Sequence, residues 1–240
     1  MRKAVTILVF VSLAASVVFL VWRISQPADD GGVDPTAEAR GRGDYTLMLL
    51  QCLVGLVALA LPSLLQRRFS IQMPDSFLTL FFVFLYCAIY LGEVRSFYYL
   101  IPYWDTILHT FSGAMLGAFG FSVVLLLNDA KTVGVTLSPA FIALFAGCFA
   151  ITLGVVWEFY EYIGDGLLGL NMQKTRLADG AVLTGSAALR DTVKDLAVDC
   201  AGALATSVVG FVMMKKKPGW LNRFDFQSSR TSPAEIGVEG

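Results

Sequence analysis

Long apolar runs separated by short polar stretches make up most of this chain. They lie at about residues 4–22, 45–65, 76–91, 105–127, 138–163 and 191–214. Most reach the roughly 20 residues that cross a bilayer as a helix. Most are apolar on all sides, which suits a helix surrounded by lipid and by other helices. The pattern predicts an all-α, polytopic transmembrane bundle of about six spans.

The polar stretches divide these runs unequally. The first run follows Met1-Arg2-Lys3 and ends in no small-x-small cleavage site, so residues 1–22 are expected to remain as a signal-anchor-like first helix. Residues 23–44 are rich in Gly and Asp and read as a flexible extracytoplasmic linker. Residues 45–215 form the expected five-helix core, and 216–240 a polar cytoplasmic tail. Tyr98, Tyr99, Tyr103 and Trp104 fit an aromatic belt at a membrane surface. Arg67-Arg68 and Lys215-Lys216-Lys217 stand directly at two helix ends. By the positive-inside tendency they place those ends, and both termini, in the cytoplasm.

Composition supports the same class. The chain is 56% hydrophobic and 15% charged, with mean hydropathy +0.66. Soluble domains carry about 25% charged residues. A net charge of -1, with no basic stripe, excludes an electrostatic reason to bind nucleic acid. Cys52, Cys87, Cys148 and Cys200 form no CxxC pair and are expected as buried apolar residues.

Against this apolar background the acids stand out. An ionisable group inside a transmembrane helix costs on the order of 3 kcal/mol or more unless it is paired or wet. Glu158, Glu161 and Asp165 fall at i, i+3 and i+7, one helical stripe. Asp105 and His109, the one histidine of the chain, are i, i+4. Asp191, Asp195 and Asp199 repeat the four-residue spacing. Alternation of six spans brings all three stripes to one end of the bundle, whichever side that is. The expected site joins His109, Glu158, Glu161, Asp195 and Asp199 at similar depth, with Asp105, Asp165 and Asp191 nearer the mouth.

So many carboxylates cannot all ionise together without countercharge. Some must be protonated, or pair with Arg190 and Lys194, or bind one or two divalent metal ions. For the last case His109, Glu158, Asp195 and Asp199 are the expected ligands, and Glu158, Glu161 and His109 the catalytic candidates. Asp105 and Asp191 also suit helix caps. Gly113, Gly117 and Gly120, with Ala201, Gly202 and Ala205, are expected to let helices approach closely. Gly164, Gly166 and Gly169 read as a turn.

The segments Tyr103-Trp104-Asp105-Thr106-Ile107-Leu108-His109, Trp157-Glu158-Phe159-Tyr160-Glu161 and Asp191 to Asp199 resemble the YjdF-type family of bacterial inner-membrane proteins. More loosely, their order is similar to VanZ-like proteins, which carry Gln where this chain has Glu161. The similarity spans about residues 45–215. It implies a helical bundle in the bacterial cytoplasmic membrane and no particular reaction.

Three functions fit the residues. One is an intramembrane hydrolase or transferase acting on a lipid or lipid-linked envelope precursor. Another is a cation- or proton-coupled transporter, although no inverted repeat is visible. The third is a non-catalytic structural or envelope-stress membrane protein whose acids form a charge cluster. No GxSxG or HExxH motif points to a familiar hydrolase.

Overall fold

The computed structural model describes residues 1–26, 41–69, 71–127, 137–177, 180–217, 219–224 and 227–228. Among these residues seven α-helices follow one another: α1 (Arg2–Ser25), α2 (Arg42–Phe69), α3 (Asp75–Leu85), the short α4 (Phe97–Leu100), α5 (Trp104–Leu127), α6 (Pro139–Leu168) and α7 (Ser186–Lys216). A nine-residue π-helix, Tyr86–Val94, continues α3. With that extension, six helices are long and apolar enough to cross a membrane. The chain is an all-α, multi-pass membrane protein. Among the described residues the rest of the regular structure is a 3-10 helix, Trp220–Phe224, and a two-residue ladder, with β1 (Ile71–Gln72) antiparallel to β2 (Gln227–Ser228).

The spans pack as two groups of three. Val9, Leu13 and Leu20 of α1 are buried with Met48 and Cys52 of α2 and Leu78 and Phe82 of α3. The first helix is therefore packed into a core with the second and third. In the second group Phe121 of α5 packs with Ile142, Ala143 and Ala146 of α6. Trp220 and Phe224 close its end, 6.0 and 5.6 Å from the Phe121 ring. Stacked pairs join the groups, Phe77 on Phe119 at 5.7 Å and Phe84 on Phe111 at 6.0 Å. The Phe77 to Phe84 run thus packs partly between the two groups.

Polar contacts mark the two ends. At one end Arg2 pairs with Asp75 at 2.7 Å, and β1 meets β2. At the other, Arg176 in the α6–α7 connection lies 3.6 Å from Asp44 near the start of α2.

Several expectations need correction. Helix α6 continues five residues past the predicted end, so Gly164 and Gly166 are helical. The turn comes at Gly169, whose φ of 63° is the left-handed C-terminal conformation that glycine adopts without penalty. Helix α7 starts at Ser186, so Asp191 lies inside it and caps nothing. Only Cys52 of the four cysteines is buried, and Cys148 is exposed; all are free thiols. Ala201 and Ala205 face outward, whereas Gly202, Ala203 and Gly210 face the bundle. Most of the expected linker (residues 27–40) and most of the tail lie outside the described residues.

Candidate functional site

The site begins with a close helix crossing. A Cβ on Gly113 of α5 would overlap the Asp199 backbone carbonyl of α7, and one on Gly202 would overlap the Thr110 carbonyl of α5. Two missing side chains thus let α5 and α7 touch backbone to backbone, as small residues do in membrane bundles. Thr206 adds a hydroxyl hydrogen bond to the Ala114 carbonyl at 3.2 Å. On α6, Gly154 leaves the space that the Asp199 carboxylate fills, 3.0 Å from where a Cβ would stand.

This crossing delivers Asp199 to His109. Asp199 Oδ2 lies 3.1 Å from His109 Nδ1, and both residues are buried. The Ser112 hydroxyl lies 2.9 Å from Asp199 Oδ1 and 2.8 Å from the His109 carbonyl. It has one proton and donates to one of them at a time. On the other side of the ring, Nε2 stands 3.6 Å from Asp105 Oδ1. With Nδ1–H donated to Asp199, the Nε2 lone pair would face a carboxylate oxygen. Such an arrangement needs a cation between them, either a proton on Nε2 or a metal ion.

Asp195 completes the inner ring of charge. One ligand atom each from Asp105, His109 and Asp195 lie within 4.8 Å of one another. Two carboxylate oxygens and one imidazole are a donor set that suits a divalent ion. Lys194 Nζ lies 3.4 Å from Asp191 Oδ1 and 3.5 Å from Asp195 Oδ1. That second contact is an ion pair by distance but makes no hydrogen bond, so Asp195 Oδ1 is buried without a donor. Lys194 is substantially exposed and screens the pair only in part.

Glu158, 5% exposed, joins the same cluster from α6, and its Oε1 also has no hydrogen-bond partner. Its electrostatic neighbours are His109, Asp199, Asp105 and Asp191. Glu161, half-buried one turn on, acts on Glu158, His109 and Asp105, and also feels Lys174. Of the residues singled out from the sequence, Asp105, His109, Glu158, Glu161, Asp195 and Asp199 come together. Asp191 sits at the edge, held by Lys194. Asp165 is elsewhere: it accepts from the Met172 and Gln173 amides at 2.6 and 3.1 Å and ties down the chain after α6. Arg190 is exposed and has no carboxylate partner among the described residues. Ser112 was missed by the sequence reading. Its signal was its place three residues after His109, on the same helical face.

A second polar cluster was also missed. Glu93, buried in the π-helix, pairs with Lys174 in the α6–α7 connection. The Lys174 ammonium sits 4.9 Å from the centre of the Tyr98 ring and 5.9 Å from that of Tyr99, within cation–π range. Burial opposes the Lys174 charge, but Glu93 outweighs it and holds the pKa above its usual value. Burial first, then Glu93, pushes the Tyr98 hydroxyl well up. Asn171 donates to the Tyr99 hydroxyl at 3.0 Å and exchanges two hydrogen bonds with the Arg176 backbone. The connection is thereby docked on the π-helix, beside the His109 cluster.

No curated protein and no solved structure matches the chain. The family described as "Predicted membrane protein (DUF2238)" matches residues 5–216, a span that includes most of α1 and every residue of both clusters. The chain belongs to that family.

Proposed function

We propose that this protein is a membrane-embedded metal protein in which Asp105, His109 and Asp195 hold one divalent ion. The observation that carries the reading is the setting of His109. Its Nδ1 is fixed by Asp199, and its Nε2 points at a carboxylate within a group whose nearby cation, Lys194, is half-exposed and hydrogen-bonds only Asp191. A carboxylate on the far nitrogen of a ligating histidine sets its tautomer and raises its basicity. In this reading Asp199 is an orienting partner and Glu158 a base, so of the four ligands expected from sequence His109 and Asp195 remain and Asp105 joins them.

Three protein ligands leave positions for water and a substrate oxygen, the arrangement of catalytic rather than structural metal sites. A bound ion would lower the pKa of its water and polarise the substrate. Glu158, with an oxygen free of other partners, is placed to take the proton, and Glu161 lies next to it. The reaction class is hydrolysis or transfer on a lipid or lipid-linked envelope precursor, since the acids lie within membrane-spanning helices. The likeness to YjdF-type and VanZ-like proteins belongs to this reading. So do the bacterial inner membrane and cytoplasmic termini, supported by the basic ends of α2 and α7.

Elemental analysis of detergent-purified protein tests it. One ion per chain is expected, lost in His109→Ala and Asp195→Ala and kept in Glu158→Gln. Absence of metal after equilibration with Mn, Zn, Mg and Ca would sink the reading. The contact of Lys194 with both Asp191 and Asp195 favours a second reading, a non-catalytic charge cluster. That reading requires Asp195→Asn to lower stability with no metal to lose.

A further inference from the structure

The acid cluster keeps one cation of its own. Lys194 Nζ lies 3.4 Å from Asp191 Oδ1 and 3.5 Å from Asp195 Oδ1. Among the described residues it is the one Lys or Arg side chain in ion-pair contact with the acids gathered about His109. Its two contacts are unequal. The ammonium hydrogen-bonds Asp191, three residues back along α7. It meets Asp195 by charge alone and leaves that oxygen without a donor. The Asp195 side chain is 9% exposed and that of Lys194 44%. A buried carboxylate therefore leans on a cation that stands at the surface. Asp105 acts on the same ammonium. Two of the three residues assigned to the ion, Asp105 and Asp195, already have a positive charge in their field.

A lysine in this position is suited to give way. Its charge is compact and rides on a flexible four-carbon stem. Its half-exposed place lets the ammonium move further into water at small cost. Asp191 anchors it outside the inner ring, so losing Asp195 does not leave it without a partner. An ion on Asp195 and an ammonium against the same carboxylate repel each other. Filling the site therefore drives the ammonium off Asp195.

We propose that Lys194 is a built-in competitor for the ion. It offsets the charge of Asp195 while no ion is bound, and it withdraws to Asp191 when Asp105, His109 and Asp195 take a divalent cation. The proposal rests on the metal reading of the cluster and names what regulates its filling. The tethered charge sets a threshold: the site fills only where the free ion outweighs it. Below that threshold the buried carboxylate is still compensated, which spares the metal-free chain an unpaired charge.

Metal affinity of the full chain in detergent tests this, read at neutral pH by competition with a chelating dye, with Mn and Zn as probes. Lys194→Met should bind the ion tighter by about tenfold or more. Protons on the acids also gain from the lost charge, but a divalent ion gains more. Lys194→Arg keeps the charge and should bind no tighter than the native chain. Arg190 lies one turn out on the same helix, exposed and with no carboxylate partner among the described residues. Arg190→Met should shift affinity by less than about threefold. Thermal unfolding adds a second readout: Lys194→Met should lower the midpoint of the metal-free chain, and the ion should restore it. Unchanged or weaker binding by Lys194→Met would overturn the proposal. So would an equal gain in Arg190→Met, which would leave Lys194 as one surface charge among others. Uptake by Lys194→Met where the native chain takes up none would support it. No uptake by either chain would remove the metal reading itself, and this proposal with it.

Discussion

Asp199 reaches His109 across ninety residues of chain, Oδ2 to Nδ1 at 3.1 Å, because glycines at 113 and 202 let two helices meet at their backbones. If Asp199 orients the imidazole rather than binding the ion, Asp199→Asn should weaken metal affinity by about 10–100-fold without abolishing it. Asp195→Ala should abolish it. Competition with a chelating dye measures both. Equal and complete loss would make Asp199 a ligand.

The crossing itself is open to test. Gly202→Ala forces a methyl into the Thr110 carbonyl, and overpacking of this kind costs about 1–3 kcal/mol. Ala201→Val, one residue away on the outward face, should cost little. Thermal unfolding in detergent compares them. Similar midpoints for the two variants would mean that α5 and α7 do not cross so closely.

Lys174→Met leaves Glu93 buried without its partner. Removing one side of a buried ion pair typically costs about 3–5 kcal/mol. Lys174→Met with Glu93→Gln should recover much of that, because an uncompensated charge is gone. A double variant no more stable than the single one would show that the pair is not the main source of the loss.

The same cluster predicts alkaline behaviour. Lys174 keeps its proton to higher pH folded than unfolded, so its contribution is intact below its ordinary pKa of about 10.4 and is lost as pH rises through the folded value. Tyr98 acts in the same direction, since its buried hydroxyl resists ionisation. Stability should therefore fall above about pH 10, and tyrosinate absorbance of Tyr98 should appear only with unfolding. A tyrosinate signal that precedes unfolding in full amplitude would contradict the burial of Tyr98.

The thiols offer a check on packing. A membrane-soluble maleimide should label Cys148 first and leave Cys52 unlabelled until the chain unfolds. Early labelling of Cys52 would mean that α1 does not cover α2 as described.

The spans were legible because bilayer crossing demands long apolar runs, and the convergence of acids followed from helix spacing and alternation alone. Spacing could not say which carboxylate meets which ring nitrogen. That depends on where α5 and α7 cross, and Gly113 and Gly202 set the crossing only as a pair from distant parts of the chain. The start of α7 was missed because Ser186 to Arg190 carries no apolar run. Glu93 looked like a surface residue of a connection. Its partner Lys174 stands 81 positions away in a polar loop, and neither residue signals the other.

The π-helix that carries Glu93 closes with a hydrogen bond from the Arg95 amide to the Tyr90 carbonyl, five residues back. Each wide turn accommodates one more residue than an α-helix would. Were the segment held at ordinary α pitch with every residue kept, Glu93 would swing by roughly 100° around the axis. The carboxylate would then point away from Lys174, and the loop beside the His109 cluster would lose its mooring. The surplus residue is what allows a charge grown on the first three spans to fasten a loop grown from the last two.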